Sequence, residues 1–390
     1  MSPLVPPMVG SVATVLGTLL KYFPKGSYCI LTSNLMGAQY GLESGTALEC
    51  EYFLADLPEF LVKRRWSRFL LPIYDFLQVP VVVWKGIELV RSRKVDNILV
   101  AVTPNRGFEI VAFIVHKITG KPLFIYLFDI YAEAQTSPLH KVKARLFEER
   151  LLRSAACVFV MSEHLQNHLE SEHGMKAVVI PHPIDISPDH QVSKPQASYS
   201  SESNNRKYLI VYTGMIYDAH LGSFRNLVNV LNSMSDLDIK LAIYTPRPPE
   251  KLIQLGIGGK RVTFDFVPHT NIASVQRDAD ILFLPLAFNS PYPEVIKTAS
   301  PGKLPEYLAA DKPILVHAPS YAYISQYARE HGFGLVVDTL DPMVLQKAIR
   351  RLLSDQGLRH ELVLNARRAL TRHEATSVSH RLQKHLGMRA

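Results

Sequence analysis

Two hydrophobic rhythms alternate along the chain. Short, nearly unbroken apolar runs are separated by longer stretches whose apolar positions recur at helical spacing. Tyr28 to Thr32, Asn97 to Val102, Leu123 to Phe128, Cys157 to Met161 and Ala177 to Ile180 have the length and β-branched content of buried strands. Helical patterns lie between them, as in Leu139 to Arg153. Strands and helices in alternation imply parallel pairing with helices on both faces of a sheet.

The rhythm stops at Ser187. From there to Asn205 the text is SPDHQVSKPQASYSSESNN, with almost nothing to bury. It restarts with strand patterns at Lys207 to Tyr212, Ile239 to Tyr244, Arg261 to Phe266, Ile281 to Pro285 and Pro313 to His317. The expectation is an α/β protein of two doubly wound Rossmann-like domains facing a cleft. Residues 1–186 form the first, 187–206 the linker and 207–370 the second. A closing helix over 371–390 has the option of packing back on the first. Ligands in such folds bind beyond the strand carboxyl ends, at the switch in strand order.

Composition narrows this picture. The 390 residues are 47% hydrophobic and 20% charged, enough for two cores and unlike a disordered chain. The net charge of +8 favours anionic partners such as nucleotide phosphates or an acidic membrane face, or serves solubility alone. Its basic residues are scattered rather than striped, so nucleic acid is not an expected partner. Cys29, Cys50 and Cys157 are too sparse for a disulfide framework or a zinc site, which fits a reducing compartment. Val9 to Leu20 resembles a signal-peptide core, but no Lys or Arg precedes it, so it reads as a first helix. No run reaches the length of a spanning helix. A cytoplasmic protein is expected.

The chemistry concentrates in Thr298 to His317, TASPGKLPEYLAADKPILVH. Leu304 to Ala310 reads as a short helix with Pro305 in its first turn, where a missing N–H costs little. Pro301 and Gly302 form the turn before it, and Lys303 adds a cation. The amides of Gly302, Lys303 and Leu304 would then point out of the helix start, which suits a diphosphate. Glu306 can accept hydrogen bonds from ribose hydroxyls. The plainer reading is a common Pro-Gly turn with Lys303 and Glu306 as a surface pair.

This segment resembles the donor site of bacterial-type family 4 glycosyltransferases, which have the GT-B fold. Their signature helix carries a Glu, a run of small residues and a Gly-x-Pro-type turn into a strand. Here the match is Glu306-Tyr-Leu-Ala-Ala-Asp-Lys-Pro313, preceded by Pro301-Gly-Lys303. The resemblance implies Glu306 as ribose ligand, with Lys303 and the Gly302 amide at the diphosphate. The family's second Glu, eight residues earlier, is Thr298 here. Glu294, four residues further back, replaces it only if the loop is longer.

Other segments share the likeness. Val211-Tyr-Thr-Gly214 matches the strand-to-loop entry of the donor domain, where Gly lets backbone approach phosphate. Arg225 and Arg247 are the candidates for the basic pair that follows it in the family, or else solvent-facing residues. Asp280-Ile-Leu-Phe-Leu-Pro285 matches the strand before the donor loop. Ile180-Pro-His-Pro-Ile-Asp185 matches the end of the first domain, with His182 a cleft or turn residue. Pro7-Met-Val-Gly10-Ser11 resembles the first domain's Gly-rich loop; in the family a strand precedes it, and the expectation here is a strand that is short, missing or lost to a misassigned start. Asp129, at a strand end, either orients or deprotonates an acceptor hydroxyl, or caps the next turn.

The resemblance implies a retaining transferase of polysaccharide biosynthesis. It would use a nucleotide-diphosphate sugar and a glycan, lipid-linked or small-molecule acceptor. Charge stabilisation of the departing diphosphate would carry catalysis. No metal and no resident cofactor is expected: Asp236-Leu-Asp238 reads as a turn. Lys63-Arg-Arg-Trp-Ser-Arg68 and the apolar run after it suit a peripheral surface on the inner membrane face. They suit slightly better a helix packed on the first domain with its charges in solvent, because Pro72 interrupts the helix. A non-catalytic GT-B binding protein and a sugar-nucleotide epimerase remain as rivals.

Overall fold

The computed structural model describes residues 1–8, 10–33, 47–55, 67–102, 107–130, 147–186 and 206–388, with backbone alone for 67–78. The chain divides into two compact units, Met1–Asp185 with Ala375–Ala390, and Ile186–Glu374. The basic run at 63–66 and the polar stretch at 187–205 lie outside the described residues.

The first unit begins with α1 (Ser11–Leu20) and the parallel pair β1 (Cys29–Thr32) and β2 (Glu51–Leu54). Next come α2 (Ser67–Ser92), β3 (Ile98–Val102), α3 (Phe108–Thr119) and β4 (Leu123–Leu127). A helical stretch over 147–154 precedes β5 (Cys157–Val160), α4 (Glu163–His173) and β6 (Val178–Val179). The strands β3-β4-β5-β6 form one parallel sheet in that order. Its side chains alternate between two cores. Leu123, Ile125 and Leu127 join the core containing Val111 and Val115 of α3, while Phe124 and Tyr126 join the core containing Leu16 and Leu19 of α1. A strand buried on both faces has no polar side to show, which is why β4 reads as one apolar run.

Met1 and Ser2 tie the two sheets of this unit together. The Ala101 amide donates to the Met1 carbonyl at 3.1 Å, and the Ser2 amide to the Leu31 carbonyl at 3.2 Å. One expectation is corrected here. The helix α2 runs for 26 residues through Pro72 and Pro80 instead of stopping at the first. An interior proline costs roughly 3 kcal/mol, a loss that a long packed helix absorbs.

The second unit contains β7 (Lys207–Thr213), α5 (Leu221–Ser233), β8 (Asp238–Tyr244), α6 (Pro249–Gln254), β9 (Val262–Asp265) and α7 (His269–Arg277). It continues with β10 (Ile281–Pro285), α8 (Pro293–Thr298), α9 (Leu304–Ala309), β11 (Ile314–His317), α10 (Tyr323–His331), β12 (Gly334–Val337), α11 (Pro342–Ser354) and α12 (Gln356–Leu370). The parallel sheet has the order β12-β11-β10-β7-β8-β9. Strand order therefore reverses between β7 and β10. Phe224, Leu227 and Leu231 of α5 and Ile349 of α11 cover one face against Ile210, Ile243, Phe283 and Leu315. The strands β2 and β12 have no counterpart in the sequence reading.

The chain then returns to the first unit as α13 (Ala375–His385). Its Val378 and Leu382 enter the core of α1, and the Ser379 hydroxyl donates to the Leu19 carbonyl at 2.8 Å. The Asp236 carboxylate is held by two bonds from Arg350, at 2.7 and 2.8 Å, ahead of β8.

Candidate functional site

The switch between β7 and β10 organises the site in the second unit. The loops beyond these strands are joined where the Ala287 amide donates to the Ala219 carbonyl at 2.6 Å. Gly214 leaves β7 with φ +112, a conformation that L residues avoid, and its amide donates to the Tyr244 carbonyl at 2.8 Å. Consecutive residues of this strand end hold the short helix α9. Lys303 Nζ donates to the Tyr212 hydroxyl at 2.8 Å. The Thr213 amide donates to the Tyr307 hydroxyl at 3.0 Å. A Cβ added at Gly214 would stand 3.2 Å from Lys303 Cε. Strand and helix are thus bound in a fixed register over residues far apart in the chain.

Glu306 is held from the other side. Gln276 of α7 is 1% exposed, and its Nε2 reaches both Thr213 Oγ1 at 3.0 Å and Glu306 Oε2 at 3.3 Å. His269 Nε2 lies 3.3 Å from Glu306 Oε1. Each carboxylate oxygen has lone pairs to spare, so the group can still accept from a bound hydroxyl. The half-exposed Phe266 lies on the loop that leads into α7 at His269 and lines a recess of about 400 Å³ with Thr245, Arg247, Phe264 and Asp265.

Burial sets the electrostatics. Desolvation lowers the Lys303 ammonium to about 7, against an opposing pull from Glu306. His220, in a 3-10 turn (Asp218–His220) after Gly214, is buried and held neutral first by desolvation and then by Lys303. Tyr212 is pushed well above the usual phenol range by burial, so it stays a neutral donor and acceptor. At the end of β11, His317 Nδ1 sits 2.9 Å from the Val337 carbonyl, which only accepts. Its Nε2 is then free to accept from Asn226 at 3.0 Å, giving a neutral ring whose pKa burial lowers.

The structure brings together Gly214, Lys303 and Glu306, with Pro301 and Gly302 in the turn before α9. It alters three details. The Leu304 amide does not point outward: it donates to the Pro301 carbonyl at 2.9 Å, because the turn closes on itself. Arg225 is drawn elsewhere, its Nε bonded to the Leu255 carbonyl at 2.6 Å. Arg247 instead reaches the loop after β7, donating to the Ile216 carbonyl at 2.6 Å.

Thr298 is 3% exposed and turns its hydroxyl back to the Glu294 carbonyl at 3.0 Å. The Glu294 carboxylate lies 3.4 Å from Lys297 on α8. In the first unit, Gly10 caps α1 without a side-chain bond, and His182 is buried after β6. Asp129 follows β4 at an exposed position. Sequence reasoning missed Tyr212, Gln276 and His269. Tyr212 and Gln276 are buried like core residues, and no local pattern marks any of the three.

Two doubly wound α/β units with these sheets define the GT-B fold. Solved structures of that fold align over nearly the whole chain. A glycosyltransferase from Rickettsia africae is 13% identical, with 99% of this chain and 98% of that one covered and a TM-score of 0.63. HepE from Anabaena, in complex with UDP-glucose, is 15% identical over 99% and 98%, with a TM-score of 0.64. MnaA from S. aureus, solved with UDP, is 14% identical over 97% and 93%, with a TM-score of 0.55. No protein-family model and no curated protein matches the sequence.

Proposed function

We propose that this chain is a retaining glycosyltransferase that takes its sugar from a nucleotide-diphosphate donor. The observation that carries the reading is the pairing of Lys303 and Glu306 on one short helix beside Gly214, at the strand-order switch. A cation and a carboxylate so placed meet opposite ends of a nucleoside diphosphate. Lys303 and the Gly302 backbone face the phosphates, while Glu306 accepts from the ribose. The apolar recess at Phe266 offers a surface for the base. HepE and MnaA, which share the fold, were solved with UDP-glucose and UDP respectively.

Chemistry on this chain then rests on charge. As the glycosidic bond to the diphosphate breaks, Lys303 in its ammonium form meets the growing negative charge. Asp129, just beyond the end of β4, is the proposed group that orients or deprotonates an acceptor hydroxyl. The proposed acceptor is a glycan, a lipid-linked sugar or a small molecule. Incubation with a panel of nucleotide-sugars and acceptor lipids, read by nucleotide release and mass spectrometry, tests the proposal. Tight nucleotide binding without release or product would favour a non-catalytic GT-B protein, a reading that draws on the closed position of Thr298. An altered sugar-nucleotide formed without acceptor would identify an epimerase.

A further inference from the structure

We propose that Tyr212 is a positioning residue for the donor cation: its hydroxyl and ring fix where Lys303 Nζ stands before any anion arrives. The inference rests on the reading of Lys303 as the diphosphate contact. Tyr212 lies near the end of β7 and is wholly buried. Its hydroxyl donates to the Met215 carbonyl at 2.7 Å, which fixes the phenol proton on that side. The oxygen's lone pairs are left for Lys303, which donates at 2.8 Å. The ammonium also stands 4.2 Å from the centre of the same ring, within cation–π range.

Gly214 completes the berth, since a side chain there would press on Lys303 Cε. The charged and titratable groups facing Lys303 come from three elements. Glu306 belongs to its own helix and is engaged by His269 and Gln276. His220, on the turn after β7, is neutral. Tyr212, on β7 itself, is a neutral phenol. A lysine side chain has four flexible carbons, so without the phenol its Nζ is free to swing toward Glu306. Through the Met215 carbonyl the same hydroxyl also holds the loop after Gly214. One phenol therefore sets both the cation and the backbone around the proposed phosphate position.

The test compares wild type, Lys303→Met and Tyr212→Phe. Affinity for UDP, GDP and ADP is measured by calorimetry from pH 6 to 9, and the tightest ligand is followed. Tyr212→Phe is expected to weaken binding about tenfold, the scale of a lost hydrogen bond to a charged group. It should also move the pH at which affinity starts to fall to a lower value, because the ammonium has lost an acceptor. A merely structural role would leave that midpoint in place. Wild-type affinity and midpoint in Tyr212→Phe, with weak binding in Lys303→Met, would overturn the positioning role alone. Wild-type binding in Lys303→Met would instead sink the donor-site reading and this inference with it. Should Tyr212→Phe not fold, Gly214→Ala keeps the phenol and crowds Lys303. A lowered pH midpoint with a retained melting transition supports the berth, because backbone strain at Gly214 weakens binding without moving that midpoint, and an unchanged midpoint refutes it.

Discussion

Arg367 grips Asp311 with two parallel bonds, Nε to Oδ1 and Nη2 to Oδ2, both 2.6 Å. Asp311 is the residue where the chain turns out of α9 toward β11, and its φ is +58. A left-handed backbone of this kind suits Gly, which has no Cβ to strain. Here the conformation is held instead by an ion pair from α12, on side chains only 18% and 25% exposed.

Substitutions at Asp311 should therefore rank in an unusual order. Asp311→Ala loses the ion pair and keeps the strain of a Cβ at positive φ. Asp311→Gly loses the same pair but relieves the strain, which is worth about 1 kcal/mol. Thermal melting is expected to place wild type highest, Asp311→Gly next and Asp311→Ala lowest. Equal melting of the two variants would show that the backbone carries no strain.

Glu306→Ala should weaken nucleotide diphosphate binding by about 1 to 3 kcal/mol, the cost of a lost hydrogen bond to a charged group. Melting should change little, since the carboxylate is partly exposed, His269 is largely exposed and Gln276 keeps its bond to Thr213. Gln276→Leu should weaken binding less, because it frees Glu306 without removing it. An unaltered affinity in Glu306→Ala, with the fold intact, would refute the ribose assignment.

The strands and much of this site differ in how far the sequence reveals them. Ile281 to Pro285 is apolar throughout because both of its faces are covered, so length and composition mark it as a strand. Glu51–Leu54 is half polar and pairs with a single short neighbour, and Gly334–Val337 opens on a glycine, so neither stands out. At the site, Lys303 and Glu306 are local to one motif and legible within it. Their partners are not. Tyr212 lies in an apolar strand and looks like core, and only the folded register brings its hydroxyl to Lys303. Arg225 shows the converse error, since a helix start suits a phosphate contact but the side chain turns toward Leu255.

A surface feature of the first unit motivates a separate proposal, an acidic membrane as partner. On α2, Trp84 is 65% exposed and Val81 37%, with Lys85 Nζ 6.0 Å from the Trp84 ring centre. Lys85 is paired with Glu88 at 2.9 Å, a partly exposed ion pair that an anionic headgroup can replace, and Trp beside such a lysine suits a lipid interface. Among the described residues no helix is long and apolar enough to cross a membrane. Wild type should co-sediment with vesicles containing phosphatidylglycerol more than with pure phosphatidylcholine, and Trp84→Ser should reduce this several-fold. Binding equal in both variants and both lipids would end the proposal.

Ligand binding should be linked to proton uptake at Lys303. In the free protein burial holds this lysine at about 7, below its ordinary 10.5. A diphosphate beside Nζ favours the ammonium and raises that value. Below pH 7 the lysine is already protonated, and affinity should be flat. Above it, binding must draw a proton from solvent, so affinity should fall by up to about tenfold per pH unit until the bound value is reached. Calorimetry at pH 8 in buffers of different ionisation enthalpy should therefore report uptake approaching one proton, and none in Lys303→Met. Folding responds with the opposite slope. The unfolded chain binds more protons than the native one between about pH 7 and 10, so the Lys303 contribution to stability rises with pH across that window. Wild-type melting relative to Lys303→Met should accordingly climb from pH 7 to 9. A flat difference between the two proteins over that range would show that Lys303 keeps an ordinary ammonium in the free protein.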